Sequence, residues 1–179
     1  MKFSSQEEYG SRCLVRLARQ GEGASLTIPE ISGGEGLSVP YVAKLMRILR
    51  RSGFVKSVRG QAGGYSLARP AGQIIMGDLL AALGGRLYEP EFCRHHSGNV
   101  KNCLNTIDCS IRPVWQTVQI AVDQVLNKMT LKDLLQSERA MTSWTNNMVK
   151  ASDLAGEALS IHQKLELEHQ PQLTKPQTP

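Results

Sequence analysis

Three cysteines lie close together in the second half of the sequence, where they could hold a metal centre. Cys93, Cys103 and Cys109 are separated by nine and five residues, in a stretch that also contains Gly and Asn. Thiolate sulfur is a preferred ligand of zinc and of iron-sulfur clusters. Either centre needs a fourth ligand, and His95 or His96 could provide it. The alternative is three thiols that bind no metal.

The sequence has the features of a cytoplasmic protein. It contains no run of about 18 apolar residues that could span a bilayer, and Met1-Lys2-Phe3 leads into polar residues instead of a signal-peptide apolar stretch. We therefore expect no membrane partner. In a reducing compartment, clustered cysteines are expected to bind metal or respond to redox state. Cys13 differs, because it falls on the apolar side of a predicted helix and is expected to be a small core residue.

A second chemical signal is a basic stretch without acidic residues. Between Gly36 and Gly77 there are seven Lys or Arg and no Asp or Glu. Residues 1–70 hold 11 Lys or Arg against 5 Asp or Glu, a balance of +6, whereas the remainder holds 10 against 11, a balance of −1. This asymmetry indicates a local site for a polyanion. The alternative is the ordinary solvated surface of a small domain.

The chain up to residue 53 predicts three short helices. Ser4 or Ser5 is placed to cap the first of them. Thr27 and Ser38 are placed to cap the second and third, because their hydroxyls accept hydrogen bonds from the free N–H groups at a helix start. The third helix covers residues 39–52, and Gly53 ends it.

The segment after the third helix changes to strand periodicity. Residues 54–58 and 65–67 predict two strands joined by a glycine-rich loop. Three helices followed by a hairpin is the order of the winged helix-turn-helix, whose third helix enters the major groove of DNA. The sequence therefore predicts a mainly α fold with a small β-hairpin, in which a winged helix-turn-helix DNA-binding domain occupies residues 1–85.

The third helix and the hairpin carry the candidate DNA contacts. At Ser38 and Tyr41, a hydroxyl and a helix amino terminus can bind phosphate or touch base edges. Lys44 and Arg47 follow toward the same side as Tyr41 and give a groove-facing strip. Arg59, at the hairpin tip, suits a narrow minor groove. The predicted DNA-binding residues are Ser38, Tyr41, Lys44, Arg47, Arg50, Arg51, Arg59 and Gln61.

The remaining chain predicts further helices around the cysteines. Residues 75–83 form a fourth short helix, and residues 86–110 form the cysteine-rich loop. A long helix follows whose apolar surface is too wide for one neighbour, so we expect a homodimer. This dimerisation helix and a short helix capped by Thr130 occupy residues 111–137. Residues 138–179, whose end is rich in Pro and Gln, are expected to be weakly ordered.

Several stretches of the sequence carry a resemblance to a known family. They are residues 1–5, 37–45 and 49–55, and above all the hairpin motif SVRGQAGGYSL at 57–67. With three cysteines before a long helix, the chain resembles the IscR/NsrR/RirA-type transcriptional regulators over about residues 1–137. The resemblance implies a homodimer that binds palindromic promoter DNA. We expect it to act as a repressor. The resemblance also implies an iron-sulfur cluster, [2Fe-2S] or [4Fe-4S], through which members respond to cluster supply, iron, nitric oxide or redox state.

Two departures from the family pattern affect the fourth ligand. The gap between Cys93 and Cys103 is longer than is usual, and Arg112 stands where some members place a histidine ligand. Other members recruit an acidic residue from the first helix of the partner subunit, and Glu8 occupies the matching place. The alternative for Glu8 is an ordinary acid favoured by the helix dipole. Substitutes or competitors for the ligand role are His95, His96, Asp108 and Glu7.

The sequence contains no motif of an enzyme. A phosphate-binding glycine loop, an HExxH-type metal motif and a nucleophile elbow are all missing. Gly60 and Gly64 lie in a predicted hairpin and not between a strand and a helix. Two other classes of protein fit the same residues. One is a winged-helix regulator with structural zinc. The other is an iron-sulfur carrier or electron-transfer protein whose basic surface docks an acidic partner.

Overall fold

The computed structural model describes residues 3–60, 63–89, 91–97, 103–105 and 107–150. This part of the chain is mainly helical with one two-stranded antiparallel hairpin, so the predicted fold class is confirmed. Single turns of 3₁₀ helix lie at Ala71–Gln73 and Asp133–Leu135. The other elements are α1 (Ser5–Ala18), α2 (Ile28–Glu35), α3 (Val39–Arg51), β1 (Val55–Val58), β2 (Gly64–Leu67), α4 (Met76–Gly84), α5 (Phe92–His95), α6 (Ile111–Leu126) and α7 (Glu138–Lys150).

The first two helices begin as their sequences predict. Ser4 caps α1 and Thr27 caps α2, each in a capping box with the glutamate three residues later, Glu7 and Glu30. In α2, hydrogen bonds from Thr27 lower the pKa of the Glu30 carboxyl. The third helix differs: Ser38 stands at the N-cap position of α3, but its side chain makes no capping hydrogen bond. The predicted cap at Ser38 is wrong in this respect.

The hydrophobic core lies between α1, α3 and α4. Its largest fully buried side chains come from these helices, from Ile31 of α2 and from the segments that follow the hairpin and α6. Cys13 is fully buried, and burial raises the pKa of its thiol to about 11. The prediction that Cys13 is a core residue is therefore confirmed. Among the core residues are Leu14, Leu17, Val42, Leu45, Met46, Leu49, Ile74, Leu79, Leu83 and Leu131.

Packing rather than ion pairing positions α3. Arg12 and Arg16 of α1 both bind Glu35 of α2, at N–O distances of 2.9 and 2.6 Å. A partly exposed pair of this kind contributes about 0–1 kcal/mol. Each fully buried Leu or Val side chain contributes about 1.5–3 kcal/mol. The buried side chains of α3 therefore position that helix, and the Glu35 pairs add only a small contribution between α1 and α2.

The hairpin is attached to the helices through its second strand. Val55 pairs with Leu67 and Val58 pairs with Gly64. An isolated bridge joins Tyr65 to Leu26, with N–O distances of 3.0 and 2.8 Å. A Cβ atom at Gly64 would stand 2.4 Å from the Leu26 carbonyl oxygen, so only glycine permits this approach. Both predicted strands are present, shifted by one residue at their starts.

The chain returns to the core after α6. Main-chain hydrogen bonds join Met76 to Met129 at 2.9 Å and Leu131 to Ile74 at 2.8 Å. Thr130, predicted to cap the following short helix, instead donates its N–H and its hydroxyl to the Asp133 carboxylate at 2.8 and 2.7 Å. The predicted helix is a single 3₁₀ turn. Long helix α6 is thereby held against α4.

Residues beyond 137 depart from the expected weak order over part of their length. The helix α7 begins after Ser137, whose hydroxyl accepts a hydrogen bond from the Ala140 N–H at 3.3 Å. Local capping supports this helix, although its described side chains contribute nothing to the core. Residues 151–179, including the Pro- and Gln-rich end, lie outside the described residues. No helix in the described ranges is both long and apolar enough for a membrane span.

Candidate functional site

Helix α3 presents a basic side opposite its core stripe. Lys44, Arg47 and Arg51 are exposed, while the residues between them at helical spacing are buried. None of the three belongs to an ion pair of the described part of the chain. Their charges are therefore available to an external anion.

Tyr41 lies at the edge of this side and supports Lys44. The Tyr41 ring is half-buried and packs edge-on against Tyr9 of α1, with ring centroids 6.1 Å apart and planes at 85°. The Lys44 Nζ atom stands 5.9 Å from the Tyr41 ring centroid, within the range of a cation–π contact. The structure thus adds a role to Tyr41, because its ring lies against the ammonium group of a predicted DNA-binding lysine.

The start of α3 is open. Ser38 is exposed and its hydroxyl is not used for capping. The first N–H groups of a helix have no partner within the helix, and they carry a partial positive charge. The start of α3 can therefore take a phosphate oxygen, as the sequence analysis expects for Ser38.

The hairpin tip places Arg59 next to a tight turn. Arg59 is exposed, and Gly60 follows with φ at 110°. The Gly63 N–H donates to the Gly60 carbonyl at 2.8 Å, and a Cβ atom on Gly63 would stand 2.6 Å from that oxygen. In strand β1, Ser57 Oγ lies 3.4 Å from Arg50 Nη1 of α3. Gln61 lies outside the described residues.

We call the exposed set on α3 and the hairpin tip the basic face. Its members project from two elements that the core and the Leu26 bridge hold together. The stretch that forms it, Gly36 to Gly77, contains no Asp or Glu. The arrangement can neutralise phosphates of a double helix while the side chains of α3 reach a groove. The basic face comprises Ser38, Lys44, Arg47, Arg51 and Arg59.

The three clustered cysteines are free thiols between α4 and α6. Cys93 lies in α5, and Cys103 and Cys109 precede α6; all three are half-buried. Their donor chemistry fits a zinc ion or an iron-sulfur cluster. Within the described ranges, however, no group of three or more His, Cys, Asp or Glu side chains is close enough to hold a metal ion. One chain alone does not show an assembled metal site there.

Tyr88 is a site residue that the sequence analysis missed. Its phenol group lies near Cys93, Cys109 and Arg112. Burial raises the pKa of Tyr88, and the Cys93 interaction raises it further. Two of the three predicted ligands therefore lie near one phenol group. A tyrosine five residues before the first cysteine was the available signal, but it belongs to no motif that the analysis used.

The candidate fourth ligands differ in their contacts and in their exposure. Glu7 is engaged in the capping box, with Oε2 2.7 Å from the Ser4 nitrogen. His96 stacks on Phe92 with ring centroids 3.9 Å apart, and its Nδ1 lies 2.9 Å from the Phe92 carbonyl oxygen. Glu8 is exposed in the first turn of α1. The other substitutes, His95 and Asp108, are exposed too.

An apolar groove of about 510 Å³ is lined by residues of α4 and α6. Gln119 is the one residue of α6 that is buried in a single chain, at 7 % exposed. Large apolar side chains of α6 and of the segment before it stay exposed: Leu104, Ile107, Ile111, Val114 and Trp115. The groove lining includes Phe3, Leu80, Ala81, Leu87, Val118, Val122 and Val125. This side of α6 is largely uncovered.

Three helices, a hairpin and an unpaired basic face define a winged-helix DNA-binding protein. Residues 3–137 match the model of the Rrf2 family, the iron-dependent transcriptional regulators. The chain belongs to this family, as its sequence predicts. It is accordingly a helix-turn-helix transcriptional regulator and not an enzyme.

Relatives support the same family from sequence and from structure. Protein rrf2 of Nitratidesulfovibrio vulgaris is 34% identical over 136 residues, which cover 76% of this chain and 88% of that protein. CymR, the global cysteine regulator of B. subtilis, superposes with a TM-score of 0.61 at 30% identity, over 75% of this chain and 96% of CymR. The IscR of T. potens gives 0.59 at 33% identity, over 75% and 86%. The first of these structures is named for cysteine regulation, the second is an IscR.

Proposed function

We propose that this regulator is a homodimeric repressor that senses redox state, nitric oxide, iron or iron-sulfur status through a cluster. Cys93, Cys103 and Cys109 are its ligands. The observation that carries the proposal is the position of three free, half-buried thiols beside the long helix α6. The regulator works in the cytoplasm, where promoter DNA is found.

The basic face supports a defined mode of DNA binding. Helix α3 enters the major groove with Lys44 and Arg47, while Arg51 meets flanking phosphate. Arg59 of the hairpin reaches the backbone or the minor groove. Two copies related by a two-fold axis present two such faces, so the operator is palindromic.

The groove between α4 and α6 supports the homodimer. Its apolar lining and the exposed apolar residues of α6 are continuous along one side of the molecule. Exposed apolar surface of this kind marks an interaction site. A second copy of α6 supplies a helix of matching apolar character, and an isologous contact closes the assembly at two subunits.

Three cysteines leave one ligand position open. When bound, an iron-sulfur cluster supplies a centre that exchanges electrons and is attacked by oxygen or nitric oxide. The thiolates of Cys93, Cys103 and Cys109 hold it, and Glu8 of the second copy provides a carboxylate. A carboxylate is a harder ligand than thiolate and exchanges more readily from iron. Glu8 lies on α1, which packs against α3, so ligation there bears on the DNA-binding helix.

A second candidate keeps DNA binding without a cluster. No metal site is assembled in the described ranges, and one similar structure is CymR. These observations favour a regulator that responds through its thiols; a regulator with structural zinc is the other alternative without a cluster. Anaerobic purification followed by native mass spectrometry decides between them. A cluster protein is brown, and its dimer mass includes iron and sulfide. A colourless dimer contradicts the first proposal. Sequence-specific binding to promoter DNA excludes an electron carrier.

Replacing Glu8 tests ligation across the dimer. Glu8→Ala is expected to leave the cluster assembled but more labile to oxygen or nitric oxide. It should also reduce the ratio of DNA affinities with and without cluster, for which coupling of about 1–3 kcal/mol is ordinary. The control is a double His95→Ala, His96→Ala variant, which should change that ratio much less. A ratio preserved in Glu8→Ala and lost in the histidine variant would move the ligand to the loop.

A further inference from the structure

A row of aromatic and charged side chains connects α2 and α1 to the basic face on α3. Tyr9 of α1 and Tyr41 of α3 pack edge-on, with ring centroids 6.1 Å apart and planes at 85°. The Lys44 Nζ atom stands 5.9 Å from the Tyr41 centroid. The Arg12 guanidinium lies 5.6 Å from the Tyr9 centroid and pairs with Glu35 of α2 at 2.9 Å. At one end of this row, Lys44 is exposed.

Tyr9 is held in place by the core and by its neighbour on α1. Its ring is half-buried and packs against the buried core residues. Arg12, three residues later, lies against the same ring. Arg12 donates to the Glu35 carboxylate at 2.9 Å and to the Glu35 carbonyl oxygen at 3.1 Å, and two such bonds leave its guanidinium little freedom. Helix α1 therefore presents to Tyr41 a ring whose own position is fixed.

An exposed lysine loses side-chain freedom when it binds, and this loss opposes binding. The face of the Tyr41 ring attracts the Lys44 ammonium group and restricts it before DNA arrives. Tyr41 can do this only if the orientation of its own ring is fixed. The edge-on arrangement is one that aromatic pairs prefer, and Tyr9 supplies the second ring.

We infer that Tyr9, which lies outside the predicted DNA-binding set, is a positioning residue of DNA binding: its ring fixes Tyr41, and Tyr41 holds Lys44 toward the groove. This role rests on the proposed function, in which Lys44 enters the major groove. Tyr9 acts through its contact with Tyr41 and not by touching DNA. Its ring is therefore required for full affinity, whereas its hydroxyl is dispensable.

Two substitutions at Tyr9 separate the ring from the hydroxyl. Tyr9→Leu removes the ring and keeps an apolar side chain, whereas Tyr9→Phe removes only the hydroxyl; Tyr9→Met replaces the first variant if that does not fold. The probe is a palindromic duplex selected from random DNA by the wild-type protein. In anisotropy titrations of the whole chain, Tyr9→Leu is expected to bind this duplex several-fold more weakly, and Tyr9→Phe as tightly as wild type.

A double-mutant cycle with Lys44 distinguishes positioning from a general effect on the fold. In the Lys44→Ala background, Tyr9→Leu should weaken binding no further, because the side chain that it positions is gone. Val15→Ala, on the same helix and against the same core, is the matched control. It should lower the melting temperature without changing the affinity for the duplex.

Three results would overturn the inference. The first is unchanged affinity in Tyr9→Leu. The second is an equal loss from Tyr9→Leu with and without Lys44, since Tyr9 would then act independently of that lysine. The third is a loss in Tyr9→Phe as large as in Tyr9→Leu, since the hydroxyl would then be the group that acts.

The protein without DNA gives an independent measurement. Lysines methylated with isotope-labelled formaldehyde are observed by NMR, and the Lys44 signal is identified by its absence in Lys44→Ala. A nearby aromatic ring shifts this signal, so it should move in Tyr9→Leu toward its position in Tyr41→Leu and stay in place in Tyr9→Phe. An unmoved signal in Tyr9→Leu would overturn the inference. If Lys44→Ala binds the duplex as wild type does, the proposed DNA-binding face fails, and the NMR shift still decides whether Tyr9 positions Lys44.

Discussion

Serine at Cys93, Cys103 or Cys109 is expected to abolish or strongly destabilise the iron-sulfur absorbance of the anaerobically reconstituted protein. A neutral hydroxyl does not replace a soft thiolate at neutral pH. Each of the three should matter, because a site with three thiolates has no spare sulfur. Iron and sulfide content per chain, measured beside the absorbance, gives the size of the loss.

Cys13 provides the matched control for the cysteine series. It is fully buried in the core, and its raised thiol pKa keeps it protonated. Cys13→Ala removes a thiol without adding a polar group, so iron and sulfide content should stay at the wild-type level while the melting temperature falls. Full iron and sulfide in all three serine variants would place the centre elsewhere. Cluster loss in Cys13→Ala at a temperature where the protein is folded would be equally damaging.

Local chemistry explains why the helix starts and the hairpin were predictable. Ser4 with Glu7 and Thr27 with Glu30 form capping boxes whose partners lie three residues apart. Neighbouring glycines in the sequence likewise indicate the hairpin loop. Ser38 shows the limit of this reasoning: the residue type is right and the position is right, but the hydroxyl makes no capping bond. A sequence pattern indicates that a cap is available, and the surroundings decide whether it is used.

The sequence predicts a cysteine site by its residue types, and this remains a prediction; the sequence gives no geometry for it. The spacing of the thiols indicates a shared centre, yet the described residues of one chain assemble no metal site. Contacts between distant parts of the chain decide this arrangement. Tyr88 reaches α6 through Gln119, 31 residues away in sequence, and no periodic pattern marks such a pair. The helix α7 was missed for a related reason, since it contributes no residue to the core.

The double variant Lys44→Ala, Arg47→Ala is expected to weaken promoter binding strongly while leaving the dimer and the cluster intact. Both side chains are exposed on α3 and have no ion-pair partner in the described ranges, so their charges are available to phosphates. Each lost phosphate contact lowers the slope of log affinity against log salt by about 1. A contact to a base edge instead costs about 1–3 kcal/mol and relaxes specificity at that position.

Anisotropy titrations at several salt concentrations separate these two kinds of contact. Arg59→Ala, at the hairpin tip, should lower the slope by about 1 on every sequence. Lys44→Ala, Arg47→Ala should lose more on the operator than on random DNA, because α3 faces the bases in the winged-helix mode. Lys128→Ala, which removes one positive charge just beyond α6, is the matched control for Arg59→Ala and should leave the salt slope unchanged on the operator and on random DNA. If the Lys44, Arg47 variant kept wild-type affinity and slope, the basic face would not be the DNA-binding surface. A loss confined to the slope would instead assign both side chains to phosphates and leave base reading to the start of α3.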